Sequence, residues 1–131
     1  MLWVATAATV LFILGASARL AGSAAAEDLL SPYARTGFVY AIGKRDAVLI
    51  GFVNPRGAYT SARFQVGTTK SYGRSYPPGE PERFYSGYHP AEVEEGAVGL
   101  QPGTTYHFRL VATSEGGTTY GKDKTFRTRP R

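Results

Sequence analysis

No cysteine occurs anywhere in the 131 residues. That absence rules out disulfides, thiolate catalysis and every cysteine-based metal site at once. Histidine is nearly missing as well, with His89 and His107 the only two. Helical periodicity is missing after residue 35, and no glycine-rich phosphate loop precedes a helix start. Residues 1–16, MLWVATAATVLFILGA, contain no charged side chain at all.

What is present at the start fits a secretory signal peptide. The uncharged run is followed by SARLAGSAAAED, rich in small residues of the kind a signal peptidase accepts. It is shorter than the roughly 20 apolar residues that a spanning helix needs. Cleavage is expected after Ala26, although the small-residue sites at Ala18 and Ala24 also qualify, and no transmembrane span is expected in the mature chain. The formal net charge is +5. An exported domain without disulfides is held by packing and hydrogen bonding alone, which suits a bacterial secreted protein.

Residues 27–35, EDLLSPYAR, read as a lead-in without sustained period. From Thr36 onward the signals are those of strands. TGFVYAI and AVLIGFV are short apolar runs separated by GKRD, and NPRG supplies a Pro-Gly turn. SARFQVG alternates, with Ala62, Phe64 and Val66 on one face and Arg63 and Gln65 on the other. TYHFRLVAT alternates again, with Tyr106, Phe108, Leu110 and Ala112 on one face and His107, Arg109, Val111 and Thr113 on the other. EGG turns the chain into TTYGKDKTFRT, where Gly121 interrupts the pattern and predicts a bulge or twist. About seven strands at intervals of roughly 8–12 residues predict an all-β sandwich of two antiparallel sheets.

The segment Leu100-Gln101-Pro102-Gly103-Thr104-Thr105-Tyr106, with the alternation that follows, resembles the strand E to F corner of fibronectin type III domains. Together with GFVNPRGAYTSARFQVGTTKSYG and TYHFRLVATSEGGTTYGKDKTFRT, it is similar to the fibronectin-like modules of secreted and surface proteins of actinobacteria, over residues 36–128. The resemblance implies that the Tyr106 hydroxyl bonds back to the chain and locks the corner, with Leu100, Pro102 and Phe108 as further structural residues. It implies an immunoglobulin-like sandwich in which Phe52 or Ile50 fills the second-strand core site that tryptophan takes in many animal members. It also implies a non-catalytic spacer, adhesion element or binding platform, without naming a ligand.

Two surfaces are candidates for recognition. The long Pro-rich segment between Arg74 and Pro90 carries Tyr76, Phe84, Tyr85, Tyr88 and His89, and exposed tyrosines offer rigid contact area to proteins or sugar rings. The same rings could instead cover one open end of the sandwich. In the fibronectin topology the third, sixth and seventh strands share a sheet. Arg63 and Arg109 would then lie near Lys122, Lys124 and Arg127 as a basic face that attracts anionic polymers, or that simply keeps the sheet soluble. Glu92 and Glu94 share a strand face while Glu95 points away, which favours a charged edge over a cation site. No catalytic residue, metal or cofactor is assigned. The expected protein is a monomeric, non-enzymatic module at the cell envelope or outside it, with a protein or cell-wall polysaccharide as partner. An accessory carbohydrate-binding domain built on the 74–90 tyrosines is the alternative, and no specific nucleic acid is expected.

Overall fold

The structure, a computed structural model, describes residues 29–131. The expected signal segment and the first two residues of the lead-in lie outside the described residues. Nine strands follow one another, with no helix among the described residues: β1 (Tyr33–Tyr40), β2 (Ala47–Asn54), β3 (Thr60–Gly67), β4 (Arg74–Tyr76), β5 (Phe84–Tyr85), β6 (Ala91–Ala97), β7 (Thr105–Ser114), β8 (Gly117–Tyr120) and β9 (Lys124–Arg127). β1 therefore starts at Tyr33, inside the segment read as a lead-in.

The strands form two antiparallel sheets, a three-stranded one in the order β1-β2-β6 and a six-stranded one in the order β4-β3-β7-β8, with β5 on β3 and β9 on β7. β8 and β9 are one strand broken at Gly121, whose N–H donates to Leu110 O at 2.7 Å. Counted that way, with the two-residue β5 set aside, the expected seven strands are all present. The expected all-β, fibronectin type III-like sandwich is the observed fold.

Alternation decides what lies between the sheets. Leu49, Val53, Phe64, Val66, Val93, Phe108 and Leu110 are fully or almost fully buried in one core. At about 25 cal/mol per Å2 of apolar surface, burying each such side chain stabilises the fold by roughly 1.5–3 kcal/mol before chain entropy is charged against it. Phe108 meets Phe64 at 6.3 Å and Phe126 edge-on at 5.7 Å, so three aromatic rings tie β3, β7 and β9 together.

The second-strand core site is filled differently from expectation. β2 directs Ala47, Leu49, Gly51 and Val53 inward, opposite the inward Val93 and Ala97 of β6. Ile50 and Phe52 point to the other side of the sheet, where the Arg35 guanidinium lies 4.3 Å from the centre of the Phe52 ring. Neither replaces the tryptophan. At the inward position Gly51 has no side chain, and Phe64 and Leu110 from the facing sheet crowd the place a Cβ would take, at 3.2 and 3.0 Å.

The corner before β7 is built as the resemblance implies. Tyr106 is buried, and its hydroxyl accepts the Gln101 N–H at 2.8 Å, five residues upstream. Its ring stacks on Phe126 at 5.7 Å. Leu100 is fully buried below it, and Thr104 Oγ1 donates to Pro102 O at 2.8 Å. Thr128, also buried, adds a donor to Gln101 O and an acceptor for Thr104 N–H, which fastens the chain end to the same corner.

Candidate functional site

The outward face of the six-stranded sheet follows from register. On β3 the outward residues are Ser61, Arg63 and Gln65; on β7, directly opposite, they are Thr113, Val111 and Arg109, with His107 beyond. Tyr120 and Thr118 of β8 stand beside Val111 and Thr113, and Thr125 and Arg127 of β9 stand beside His107 and Thr105. Tyr59 continues the β3 alternation one step before the strand, and Phe84 of β5 opposes Ser61.

Two features mark this face. At one end the Tyr59 and Phe84 rings lie parallel, 4.9 Å apart and inclined by 7°, and they are 69% and 44% exposed. At the other end Arg109 lies against two aromatic rings, its guanidinium carbon 4.6 Å from the centre of Tyr72 and 4.3 Å from that of Tyr120. Both distances are within cation–π range. Arg109 Nε donates to Gln65 Oε1 at 2.7 Å, which fixes the plane of the group. With about 3.3 Å per strand residue, the six steps from Tyr59 to Gln65 put the two features roughly 20 Å apart.

The clamp around Arg109 is held at a backbone cost. Tyr72 has φ of +60°, a left-handed value that costs a non-glycine residue about 1–2 kcal/mol. Its backbone folds directly over Gly67, where any side chain would collide with it. Tyr72 N–H donates to Thr69 O at 3.0 Å to close the turn. The ring is thereby delivered to Arg109, and its hydroxyl donates to Asp123 Oδ1 at 2.6 Å. Burial first, and then the hydrogen bond and charge of Asp123, push the Tyr72 phenol up to about 12, against a smaller opposing effect of Arg109.

Asp123 takes a second partner, His107 Nδ1, at 2.9 Å. Burial pushes its carboxyl up, but the hydrogen bonds from Tyr72 and His107, with the charges of His107 and Lys70, outweigh that and hold it below the ordinary range. An aspartate-histidine pair is two of the three members of a nucleophilic triad, yet among the described residues no hydroxyl bonds to the other ring nitrogen, and the pair lies on a sheet face rather than in a pocket. No group of three His, Cys, Asp or Glu side chains placed to hold a metal ion occurs among the described residues.

The structure redistributes the residues expected in the tyrosine-rich segment. Tyr76 is buried: it opposes Phe64 on the core side, and its hydroxyl donates to Val98 O at 2.6 Å. Tyr76 is therefore scaffold rather than recognition surface. Tyr85, opposite Thr60, is half-buried and packs against the core. Phe84, Tyr88 and His89 are exposed. Tyr88 is 74% exposed but stands apart from the ring pair, lying over Gly57 in the β2–β3 turn.

Of the expected basic face, Arg63, Arg109 and Arg127 are on the outward side, with Arg127 reaching Thr105 Oγ1 at 3.2 Å. Lys122 is exposed in the β8–β9 break. Lys124 is not part of this face. It opposes Phe108, on the inward side, and its ammonium donates to Gly37 O of the other sheet at 2.8 Å. There it adjoins an apolar cleft of about 400 Å3 between β1 and β9, lined by Phe38, Val39, Ile42, Phe108 and Phe126. Tyr59, Tyr120 and Asp123 were not anticipated as site residues. The available signal for the first two was their parity with Arg63 and Val111 along their strands.

On the other sheet, Glu94 accepts the Tyr40 hydroxyl at 2.9 Å, while Glu95 shares the inward side with Val93 at the β6 edge. Burial raises the Glu95 carboxyl, partly offset by the charge of Arg83. A charge turned inward at an edge strand discourages pairing with another chain.

No protein-family model matches the chain, and no curated protein matches it in sequence. Solved structures do share its fold. A structure of the sensor domain of the anti-sigma factor RsgI4 from Pseudobacteroides cellulosolvens is 17% identical, covers 76% of this chain and 96% of its own, and has a TM-score of 0.54. A solution structure of that domain is 16% identical over 75% of each chain, with a TM-score of 0.56. A fibronectin type III domain from human KIAA0970 protein is 17% identical over 88% of this chain and 83% of its own, with a TM-score of 0.46. At these identities the likeness to the RsgI4 sensor domain concerns fold alone.

Proposed function

We propose that this chain is a non-enzymatic binding module that works outside the cytoplasm, and that its recognition surface is the outward face of the six-stranded sheet. One observation carries the reading: the exposed parallel pair Tyr59–Phe84 and the ring-clamped Arg109 lie on the same face. A solvent-exposed stack of rings has found no protein surface to cover it, and an arginine fixed in one plane is prepared for a partner before the partner arrives. The partner is a protein or a cell-wall polysaccharide, met by the chain as a monomer. The actinobacterial surface setting and the signal peptide cleaved after Ala26, ahead of the 36–128 domain, belong to this proposal. Sensing, the role given in the name of the RsgI4 domain, is one use of such a face.

Amide shift mapping of the isotopically labelled protein tests the reading, with a panel of neutral and acidic oligosaccharides and acidic peptides as probes. Shifts concentrated on Tyr59, Ser61, Arg63, Phe84, Arg109 and Tyr120 are expected with at least one class. Shifts confined to the β1–β9 cleft, or none with any probe, overturn it.

A further inference from the structure

Arg109 is unusual in what it lacks. Its Nε is engaged by Gln65 and two aromatic rings lie against its guanidinium. Among the described residues, however, no acceptor bonds to either terminal nitrogen. The carboxylate that the Tyr72 hydroxyl reaches, Asp123, is taken by Tyr72 and His107. What remains free is the outer edge of the fork, two parallel donors in a fixed plane, which is the geometry that matches a carboxylate.

The rest of the face agrees in charge and texture. Arg63 lies on the neighbouring strand, Lys70 near Asp123 and Arg127 on β9, and the outward strand positions contain no acidic residue. Hydroxyls of Ser61, Thr113 and Thr118 lie level with Phe84 at the ring-stack end, and Arg63 stands between that end and the fork. β3 and β7 are each paired on both sides. Their main chain therefore offers nothing to an extended peptide, and only side chains meet a ligand laid across the face.

We infer that this face binds an acidic polysaccharide, with a uronate carboxylate in the Arg109 fork and a sugar ring further along the chain against the Tyr59–Phe84 stack. This rests on the reading of the sheet face as the recognition surface and adds the ligand class. The two anchors, roughly 20 Å apart along β3, require an extended polymer rather than a single sugar. Pyranose rings suit the surface because their C–H faces lie on aromatic rings while their hydroxyls reach serine, threonine and glutamine. A bidentate charge-assisted pair supplies the preference for acid over neutral chains.

Titration calorimetry with three probes tests this: short oligogalacturonates, the same oligomers with their carboxyl groups reduced to alcohols, and oligoglutamate. Oligogalacturonate is expected to bind, and reduction of its carboxyls to weaken binding by roughly ten- to a hundredfold, the worth of a charge-assisted pair. Arg109→Lys, which keeps the charge and loses the fork, is expected to lose most of that preference. Arg63→Gln, which removes a charge of the face but none of the groups that touch the Arg109 guanidinium, is expected to weaken binding a few-fold and to flatten its salt dependence. It serves as the independent variant if Arg109→Lys fails to fold. Equal binding of the reduced oligomer, or unchanged preference in Arg109→Lys, overturns the carboxylate inference while leaving the sheet face as a binding surface. Tighter binding of oligoglutamate transfers the site to acidic peptides and overturns the polysaccharide assignment. No heat with any probe, together with amide shifts elsewhere on the molecule, removes both.

Discussion

Tyr106→Phe removes one hydroxyl and leaves its ring stacked on Phe126. The lost atom is the acceptor for Gln101 N–H at 2.8 Å, inside a corner where Tyr106 is 4% exposed. Without it a backbone donor is left beside an apolar ring, and such a donor costs about 1–3 kcal/mol. Gln101 itself is exposed, so water reaches the donor in part and the lower half of that range, about 1–2 kcal/mol, is expected. For a domain of this size the midpoint of thermal unfolding should fall by roughly 5–12 °C. Tyr40→Phe is the exposed counterpart: it removes a hydroxyl that donates to the Glu94 carboxylate at 2.9 Å on an open sheet face, where exposure limits the loss to about 0.5 kcal/mol. Urea unfolding followed by tryptophan-independent circular dichroism gives both values, with the slope m unchanged if only the native state is affected. Equal losses in the two variants would refute the argument that burial of the corner gives the hydroxyl its worth.

Gly51→Val forces two methyl groups between Phe64 and Leu110, which already stand 3.2 and 3.0 Å from the Cβ position; a loss of about 1–3 kcal/mol in urea unfolding is expected. The raised phenol of Tyr72 favours the neutral ring in the fold. Its contribution is therefore complete below the ordinary tyrosine value near 10 and is lost as pH rises towards about 12. The stability difference between the protein and Tyr72→Phe should shrink over that window, and a difference that grows there contradicts the assignment. Burial raises the Glu95 carboxyl, so ionisation at neutral pH opposes folding. Glu95→Gln should be slightly more stable at pH 7, with the advantage vanishing in acid. Glu95→Val, which also unblocks the β6 edge, should elute from size exclusion as larger species, whereas a monomer at high concentration counts against the edge role.

The parts that could be read from the sequence are those set by local period. Phe64, Phe108 and Leu110 alternate with polar residues, and a two-residue period leaves no choice of face. The corner was legible because Pro-Gly and a tyrosine at fixed spacing specify a local hydrogen bond. Where all residues of a strand are apolar, period says nothing: AVLIGFV is consistent with either face inward. Only the register with β6 turns Gly51 to the core and Ile50 and Phe52 away from it. The inward turn of Tyr76 leaves no trace in the sequence for a related reason. Its segment has no period, and its inward orientation comes from pairing with Phe64, a contact made across the β3–β4 turn.

Lys124 shows a third limit, a change of phase within one strand. Tyr120 faces outward beside Val111, yet Phe126, an even number of residues later, faces the core beside Tyr106. The break at Gly121 and the two residues after it therefore shift the pleat by one position, and every count carried across it inverts. That inversion is what removes Lys124 from the basic face. It also places Asp123 in the break, free to turn towards Tyr72 and His107 rather than stand in a ladder. The clamp is thus a product of two irregularities, the left-handed Tyr72 and the slipped β8–β9 strand, and neither has a periodic signature. On the other sheet Arg35 lies on Phe52 and the Tyr40 hydroxyl is held by Glu94, while Tyr33 and Phe38 stay exposed without a polar clamp of this kind. The six-stranded sheet accepts backbone strain at Tyr72 to hold Arg109 in one plane, with its terminal nitrogens unpaired among the described residues. Packing alone gains nothing from that expense, whereas a ligand carrying a planar acceptor does.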